Sequence, residues 1–300
     1  MISLVSNVNE KNWQVSFVFD GLVVPEEGIR YKDIIVKRCD KRVDKAQFIM
    51  RVTEEEIKNE KAFPRKFEKD VANILQLYAL ETRCYIALPS GYVSAPISNE
   101  TPFGKIAPKA VTIKIEPLYP PEIVHKLSSA LEYALRAYES LKNVFEDSSR
   151  AFLRHGLKYY YMALAEHDIQ RRVIDLFIAL ETLFSPGQET RYRISLRTAL
   201  FLSLIGLDRK KVFETVYELY KKRSKIVHGV ESVNISWEKV FNLEKYLREC
   251  FRTFLYLDKT KDEITRMLDE SLYDEEARSE LKKIVVAAYR KWKNERNREG

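Results

Sequence analysis

The sequence is poor in the residue types that cross-link small proteins or bind metals. Among its 300 residues there are 3 Cys and 4 His, and Cys39, Cys84 and Cys250 form no closely spaced pair. Neither a disulfide framework nor a cysteine zinc site is therefore expected. We expect the cysteines to be small buried apolar residues in a reducing compartment. No cofactor and no metal is predicted.

Long apolar runs and phosphate-binding loops are absent as well. No apolar stretch approaches the roughly 18 residues that a membrane span needs, and Met1–Glu10 lacks the features of a signal peptide. No GxGxxG or GKS/GKT string occurs. These absences predict a soluble cytoplasmic protein with no membrane contact. With 32% charged residues and only 9 Gly, the composition is typical of a thermophile.

Positive charge is concentrated in one segment. The chain carries a net charge of +7, and residues 149–229 hold 15 basic against 8 acidic side chains, an excess equal to that of the whole chain. Such a segment is a candidate footprint for a polyanion such as RNA. The alternative is a solvated helical surface whose charges are balanced by acidic residues elsewhere.

Residues 1–117 have the pattern of a small α+β domain. Alternating apolar residues predict strands, and apolar residues spaced three and four apart predict one amphipathic helix over Glu68–Glu81. The predicted strands and shorter β-like runs are Trp13–Phe19, Ile29–Lys37, Gln47–Val52, Cys84–Leu88 and Val111–Ile115.

Residues 121–300 predict an all-α helical bundle. Pro117, Pro120 and Pro121 mark the boundary, and after them only Pro186 interrupts a helical periodicity. The predicted helices are Ile123–Phe145, Ser149–Glu166, Ile169–Phe184, Glu189–Ile205, and residues 208–228, 237–258 and 275–296.

The helix over residues 208–228 carries an arginine on its apolar face. Val212, Val216, Leu219 and Val227 define that face by spacings of three and four. Arg223 shares it, at a position where a core or interface residue is expected. An uncompensated buried charge is very costly, so Arg223 requires an acidic partner, with Glu181 and Asp175 as the candidates.

His228 follows Arg223 by five positions, close enough for both side chains to serve one cleft. A guanidinium suits phosphate, and an imidazole moves protons near neutral pH. Together they suit metal-free RNA cleavage, in which two histidines serve as base and acid. One His per chain is too few, but a two-fold homodimer supplies two. The alternative is that Arg223 forms an ordinary ion pair and His228 caps the last helical turn.

Three segments resemble the HEPN superfamily, and most closely its Apea-like branch. They are Asp175–Phe184 (DLFIALETLF), Arg191–Ala199 (RYRISLRTA) and Tyr220–Gly229 (YKKRSKIVHG). The hallmark of the superfamily, Arg followed by four to six residues and His near a helix end, is matched by Arg223 and His228. The resemblance covers about residues 150–260.

The resemblance implies a helical bundle that dimerises with its two motifs facing each other. Many members are metal-independent ribonucleases in toxin–antitoxin, phage-defence or CRISPR systems, where an antitoxin or regulatory protein is a further partner. Others have lost activity and bind RNA or a protein. Ser224 departs from the Asn, Asp or His that often follows the arginine in active members, which weakens the catalytic interpretation.

Further residues are expected to support this site. Tyr217 and Ser224 lie on the same row of the helix as His228, and Ser224 can hydrogen-bond a phosphate. Arg193 and Arg197, at i and i+4, either extend a phosphate-binding strip or form a solvated face. The expected function is a metal-independent endoribonuclease, with a non-catalytic module that binds RNA or a protein as the alternative.

Overall fold

The structure is a computed structural model. The residues that it describes are 3–6, 12–20, 22, 24–32, 34–38, 45–53, 63–86, 121–185, 191–229 and 233–298.

The N-terminal part contains a five-stranded antiparallel sheet in the order β1-β2-β5-β4-β3. The strands are Ser3–Ser6, Asn12–Asp20, Ile29–Tyr31, Ile34–Arg38 and Lys45–Thr53, numbered β1 to β5 in this order. Alternation along β4 buries Ile34 and Val36, as expected of a strand with one covered face.

The strand predicted over Ile29–Lys37 is two strands, β3 and β4, which pair as a hairpin. Lys32 takes a φ of 49° in the turn between them, so the single-strand prediction was wrong. Ser3–Ser6 adds an unpredicted strand. The run predicted to begin at Cys84 is not a strand over Cys84–Ile86, and Val111–Ile115 lies outside the described residues.

Nine α-helices occur in the described part of the chain, besides one short 3-10 helix at Ser148–Arg150. They are Phe63–Thr82, Pro121–Glu146, Ala151–Ala165, Ile169–Phe184, Arg191–Leu204, Arg209–Val227, Trp237–Phe254, Lys261–Glu270 and Glu275–Asn297, numbered α1 to α9 in this order. All predicted helices are present, and α8 is an addition. None of these described helices is both long and apolar enough to cross a membrane.

The chain divides into two compact units, and the division is not a single cut along the sequence. One unit comprises Met1–Ala72 and Ile86–Glu132, and the other comprises Asn73–Tyr85 and Tyr133–Gly300. The C-terminal half of α1 therefore belongs to the helical unit.

The helical unit is organised around α4. Its predicted apolar stripe is fully buried: Val173, Leu176, Phe177, Leu180 and Phe184. The ring of Phe184 meets Phe201 of α5 and Phe254 of α7, with centroids 5.5 and 5.6 Å apart. These contacts join three helices in one aromatic core.

The same unit buries two sets of ion pairs. Glu244 of α7 is 1% exposed and accepts from Arg83 Nη2 at 2.5 Å and from Arg172 Nε at 2.6 Å. Arg252, also on α7, bonds Glu249 Oε1 at 2.7 Å and Glu81 Oε2 at 2.9 Å. Because buried charges are costly unless paired, both sets restrict how α7 can pack.

Candidate functional site

Helix α6 carries the Arg–His motif, and its two ends lie where the sequence predicted them. The Asp208 side chain caps the N-terminus by accepting from Lys211 N at 3.1 Å. Gly229 ends the helix with a φ of +79°, a conformation that favours glycine. His228 is the C-cap residue, and its backbone N–H donates to Ser224 O at 3.1 Å.

The apolar face of α6 is buried only along part of its length. Val212, Val216 and Leu219 are no more than 1% exposed, but Val227 is 54% exposed. Burial within the described residues therefore ends before the last turn, so of the two predicted settings, core or interface, the core of this chain does not hold Val227. The end of α6 instead presents an apolar side chain to solvent beside the motif.

Arg223 forms an ion pair with Glu181 of α4, one of the two acidic partners that were predicted for it. Its Nη2 atom lies 3.7 Å from Glu181 Oε1, and its Cζ lies 5.5 Å from the centre of the Tyr220 ring. Asp175, the other candidate, lies six residues, or about 1.7 turns, earlier on α4, and burial is the main reason that its pKa is raised.

Tyr220 holds Glu181 in place for this pairing. Its hydroxyl donates to Glu181 Oε1 at 2.8 Å, and its ring meets the buried Phe177 edge-on at 5.0 Å. Burial, followed by the hydrogen bond to Glu181 and the charge of that carboxylate, raises the pKa of Tyr220 to about 12. Tyr220 therefore remains a hydrogen-bond donor at neutral pH.

The guanidinium of Arg223 has unused donors. Its Nε is shielded from solvent and has no hydrogen-bond acceptor among the described residues, and the 3.7 Å contact to Glu181 is too long for a hydrogen bond. The side chain is 23% exposed. The Nη groups of this partly exposed side chain, and not the shielded Nε, are therefore the donors available to an incoming phosphate oxygen.

His228 and Ser224 complete the predicted motif at the end of α6. His228 is exposed and Ser224 is half-buried. No described residue contacts the imidazole of His228 in a way that would orient it. For this imidazole to act as a general base, which needs a set tautomer and direction, a partner from outside the described residues would have to fix the ring.

Tyr217 belongs to a second cluster, one that includes the first residue of α5. Arg191 Nη2 donates to the Tyr217 hydroxyl at 2.8 Å, and the Arg191 Cζ lies 4.3 Å from the ring centre. The prediction did not give Arg191 a role of its own. Its position in the quoted RYR segment at a helix start was the only sequence signal for it.

The prediction that Arg197 contacts RNA, or lies on a solvated face with Arg193, was wrong. Arg197 is 3% exposed, and its guanidinium donates to both carboxylate oxygens of Asp269 at 2.9 and 2.8 Å and to Phe184 O at 2.9 Å. Arg193 is exposed. The two positions differ because α5 is covered on several sides by the bundle, which a spacing of four residues does not reveal.

Within the described residues, no group of three or more His, Cys, Asp or Glu side chains is arranged to hold a metal ion. The chain was also compared with protein-family models, with curated proteins and with solved structures, and none of the three comparisons found a match.

Proposed function

We propose that this protein is a metal-independent endoribonuclease whose active site combines Arg223 and His228 from both subunits of a homodimer. The observation that carries the proposal is the state of Arg223. Its guanidinium lies against Glu181 and over the ring of Tyr220, yet its Nη groups donate no hydrogen bond to a described residue. Such an under-used cation five residues before an exposed histidine suits a phosphodiester.

The proposed reaction transfers the phosphoryl group within the RNA. One His228 imidazole takes the proton of the 2′-hydroxyl, and the 2′-oxygen forms a bond to phosphorus. The P–O5′ bond breaks, and the His228 imidazolium of the other subunit donates a proton to the leaving oxygen. Arg223 stabilises the charge that develops on the non-bridging oxygens. The products are a 2′,3′-cyclic phosphate and a free 5′-hydroxyl.

Dimerisation is part of the proposal because one chain offers a single histidine at the motif. The exposed side chain of Val227 supports it, since an apolar residue at 54% exposure lies one position before His228. A HEPN-like bundle that brings two α6 ends together would bury Val227 and supply both histidines. An antitoxin or regulatory protein as a partner, and a role in defence, belong to the same proposal.

A cleavage assay in excess EDTA tests the chemistry. We expect the full chain to cleave single-stranded RNA and to leave 2′,3′-cyclic phosphate ends. His228→Ala should lower the rate roughly 10²- to 10⁴-fold, the usual worth of general acid–base catalysis. His155→Ala removes an exposed imidazole from α3 and is the matched control, with an unchanged rate.

A non-catalytic RNA-binding module is the second candidate. It is favoured by the lack of an orienting contact to His228 among the described residues and by Ser224 after the arginine. Wild-type protein that binds RNA in a salt-sensitive manner while leaving a broad panel of RNAs intact would establish this candidate and refute the ribonuclease proposal. A strict monomer by sedimentation would remove the composite site.

A further inference from the structure

Four side chains form a ladder of planar groups where the first turn of α5 meets the first half of α6. The Tyr192 ring meets Phe213 edge-on with centroids 5.6 Å apart. Phe213 stacks on Tyr217 at 5.5 Å with an interplanar angle of 17°, and the Arg191 guanidinium lies over Tyr217. We call Arg191, Tyr192, Phe213 and Tyr217 the aromatic ladder.

The aromatic ladder is both fixed and accessible. Tyr192 is 56% exposed, while Phe213, Tyr217 and Arg191 are half-buried. The hydrogen bond from Arg191 to the Tyr217 hydroxyl restricts both of these side chains. A ligand that stacks here orders few additional rotamers, so little conformational entropy opposes binding.

Cations lie near the aromatic ladder, and the two exposed carboxylates of the same stretch of α6, Glu214 and Glu218, pair with Lys210 and Lys239. Arg191 bonds a neutral hydroxyl, and no described carboxylate forms an ion pair with it. Arg193, Lys221 and Lys225 are exposed on the same two helices. A surface that combines cations with aromatic rings is complementary to a nucleic-acid strand, which offers phosphates to the cations and base faces to the rings.

The aromatic ladder also lies on the same face of α6 as the end of the motif. Four residues separate Phe213 from Tyr217, and seven separate Tyr217 from Ser224, so all three share one side of the helix. The distance from Tyr217 to Ser224 along the helix axis is about 10 Å. A short stretch of RNA that contacts the aromatic ladder can therefore reach Ser224 and, one turn further, His228, with Arg223 about a third of a turn around the helix from this row.

We infer that the aromatic ladder is a base-stacking surface for single-stranded RNA that leads into the Arg223/His228 site. The inference rests on the proposed function in naming RNA as the ligand. Duplex RNA does not fit, because its bases are stacked on one another and their faces are closed to side chains. Tyr192, which has the most exposed ring, is the residue on which we expect a base to stack.

Binding is measured in the His228→Ala chain, so that cleavage does not consume the probe. The probe is a fluorescein-labelled RNA single strand of about 12 nucleotides, within the site sizes of such proteins, and the same strand annealed to its complement. Tyr192→Ala should weaken single-strand binding about 5- to 150-fold, the worth of one base–aromatic stack. Tyr192→Phe keeps the ring and should bind as the parent does.

The outcomes separate this inference from the proposed function. Equal affinity of the Tyr192→Ala and Tyr192→Phe chains for the single strand overturns it, as does equal affinity for single strand and duplex. A Tyr192→Ala chain that becomes monomeric but binds RNA normally identifies a protein interface instead and also overturns it. If wild-type protein does not cleave but ring-dependent binding persists, the ribonuclease proposal fails and the stacking surface stands.

Discussion

Arg197 offers a sharp test of the structure because the sequence and the fold assign it different roles. On sequence grounds it is a candidate phosphate ligand. In the structure its guanidinium makes three hydrogen bonds, two to Asp269 and one to Phe184 O, and joins α5 to α8 and to the end of α4. Arg197→Ala should therefore lower the free energy of unfolding of the bundle and leave RNA binding unchanged.

The expected magnitude follows from the exposure of the two partners. Arg197 has a side chain that is 4% exposed, whereas the Asp269 side chain is 44% exposed. In Arg197→Ala, water can solvate the abandoned carboxylate, so the loss is smaller than for a fully buried pair. Charged hydrogen bonds contribute about 1.5 to 3 kcal/mol each and are not additive. We expect a loss of about 3 kcal/mol, since the carbonyl of Phe184 also loses its donor.

Thermal unfolding followed by circular dichroism measures this loss. A change of about 3 kcal/mol should lower Tm by about 6 to 12 °C in a unit of this size. Arg209→Ala, at an exposed position at the start of α6, is the control and should stay within about 0.5 kcal/mol of the parent. An unchanged Tm for Arg197→Ala, together with weaker RNA binding, would refute the structural assignment.

Three other perturbations test the packing of the helical unit. Gly156→Ala should cost about 1 to 3 kcal/mol by overpacking, because the new Cβ would collide with Thr182 Oγ1 and come within 2.9 Å of Phe251 Cζ; urea unfolding measures the loss. Glu244→Ala should cost about 3 to 5 kcal/mol, since it leaves two arginines without their shared carboxylate, and an unchanged urea midpoint would contradict this. The Tyr220 pKa is raised to about 12, so its contribution to stability is complete below about pH 10 and is lost as pH rises through 12. Tyr220→Phe, which removes the bond to Glu181, should therefore differ most from the parent below pH 10 in the free energy of unfolding, and a difference that does not change with pH would argue against the raised pKa.

The limits of α6 were predictable because helix ends depend on local chemistry. Asp208 caps one end with its own side chain, and Gly229 supplies the left-handed conformation at the other. The same chemistry marks α8, where Thr260 and Glu263 form a capping box. That helix was missed because the prediction relied on long apolar stripes, and α8 has only ten residues.

Ion pairs between residues far apart in the sequence were only partly predictable. Glu181 was found as the partner of Arg223 because a charge on an apolar face requires compensation and few acids lie on the neighbouring apolar helix. Asp269, the partner of Arg197, lies 72 residues away on the helix that was missed. No local pattern distinguishes an arginine that meets such a carboxylate from one that faces solvent.

These pairings explain how the basic excess of residues 149–229 is distributed. Part of it is bound within the fold, since Arg150 donates to Phe254 O at 2.6 Å, Arg172 shares Glu244, and Arg197 binds Asp269. Other cations are held but incompletely neutralised, as Arg191 is by a tyrosine hydroxyl and Arg223 by a distant carboxylate. Arg191 lies against Tyr217 on one side of α6, and Arg223 lies on the side of α6 that meets Glu181 of α4. The net charge that marks the segment in the sequence is thus a poor guide to binding by itself, and the degree to which each guanidinium is already paired is the better one.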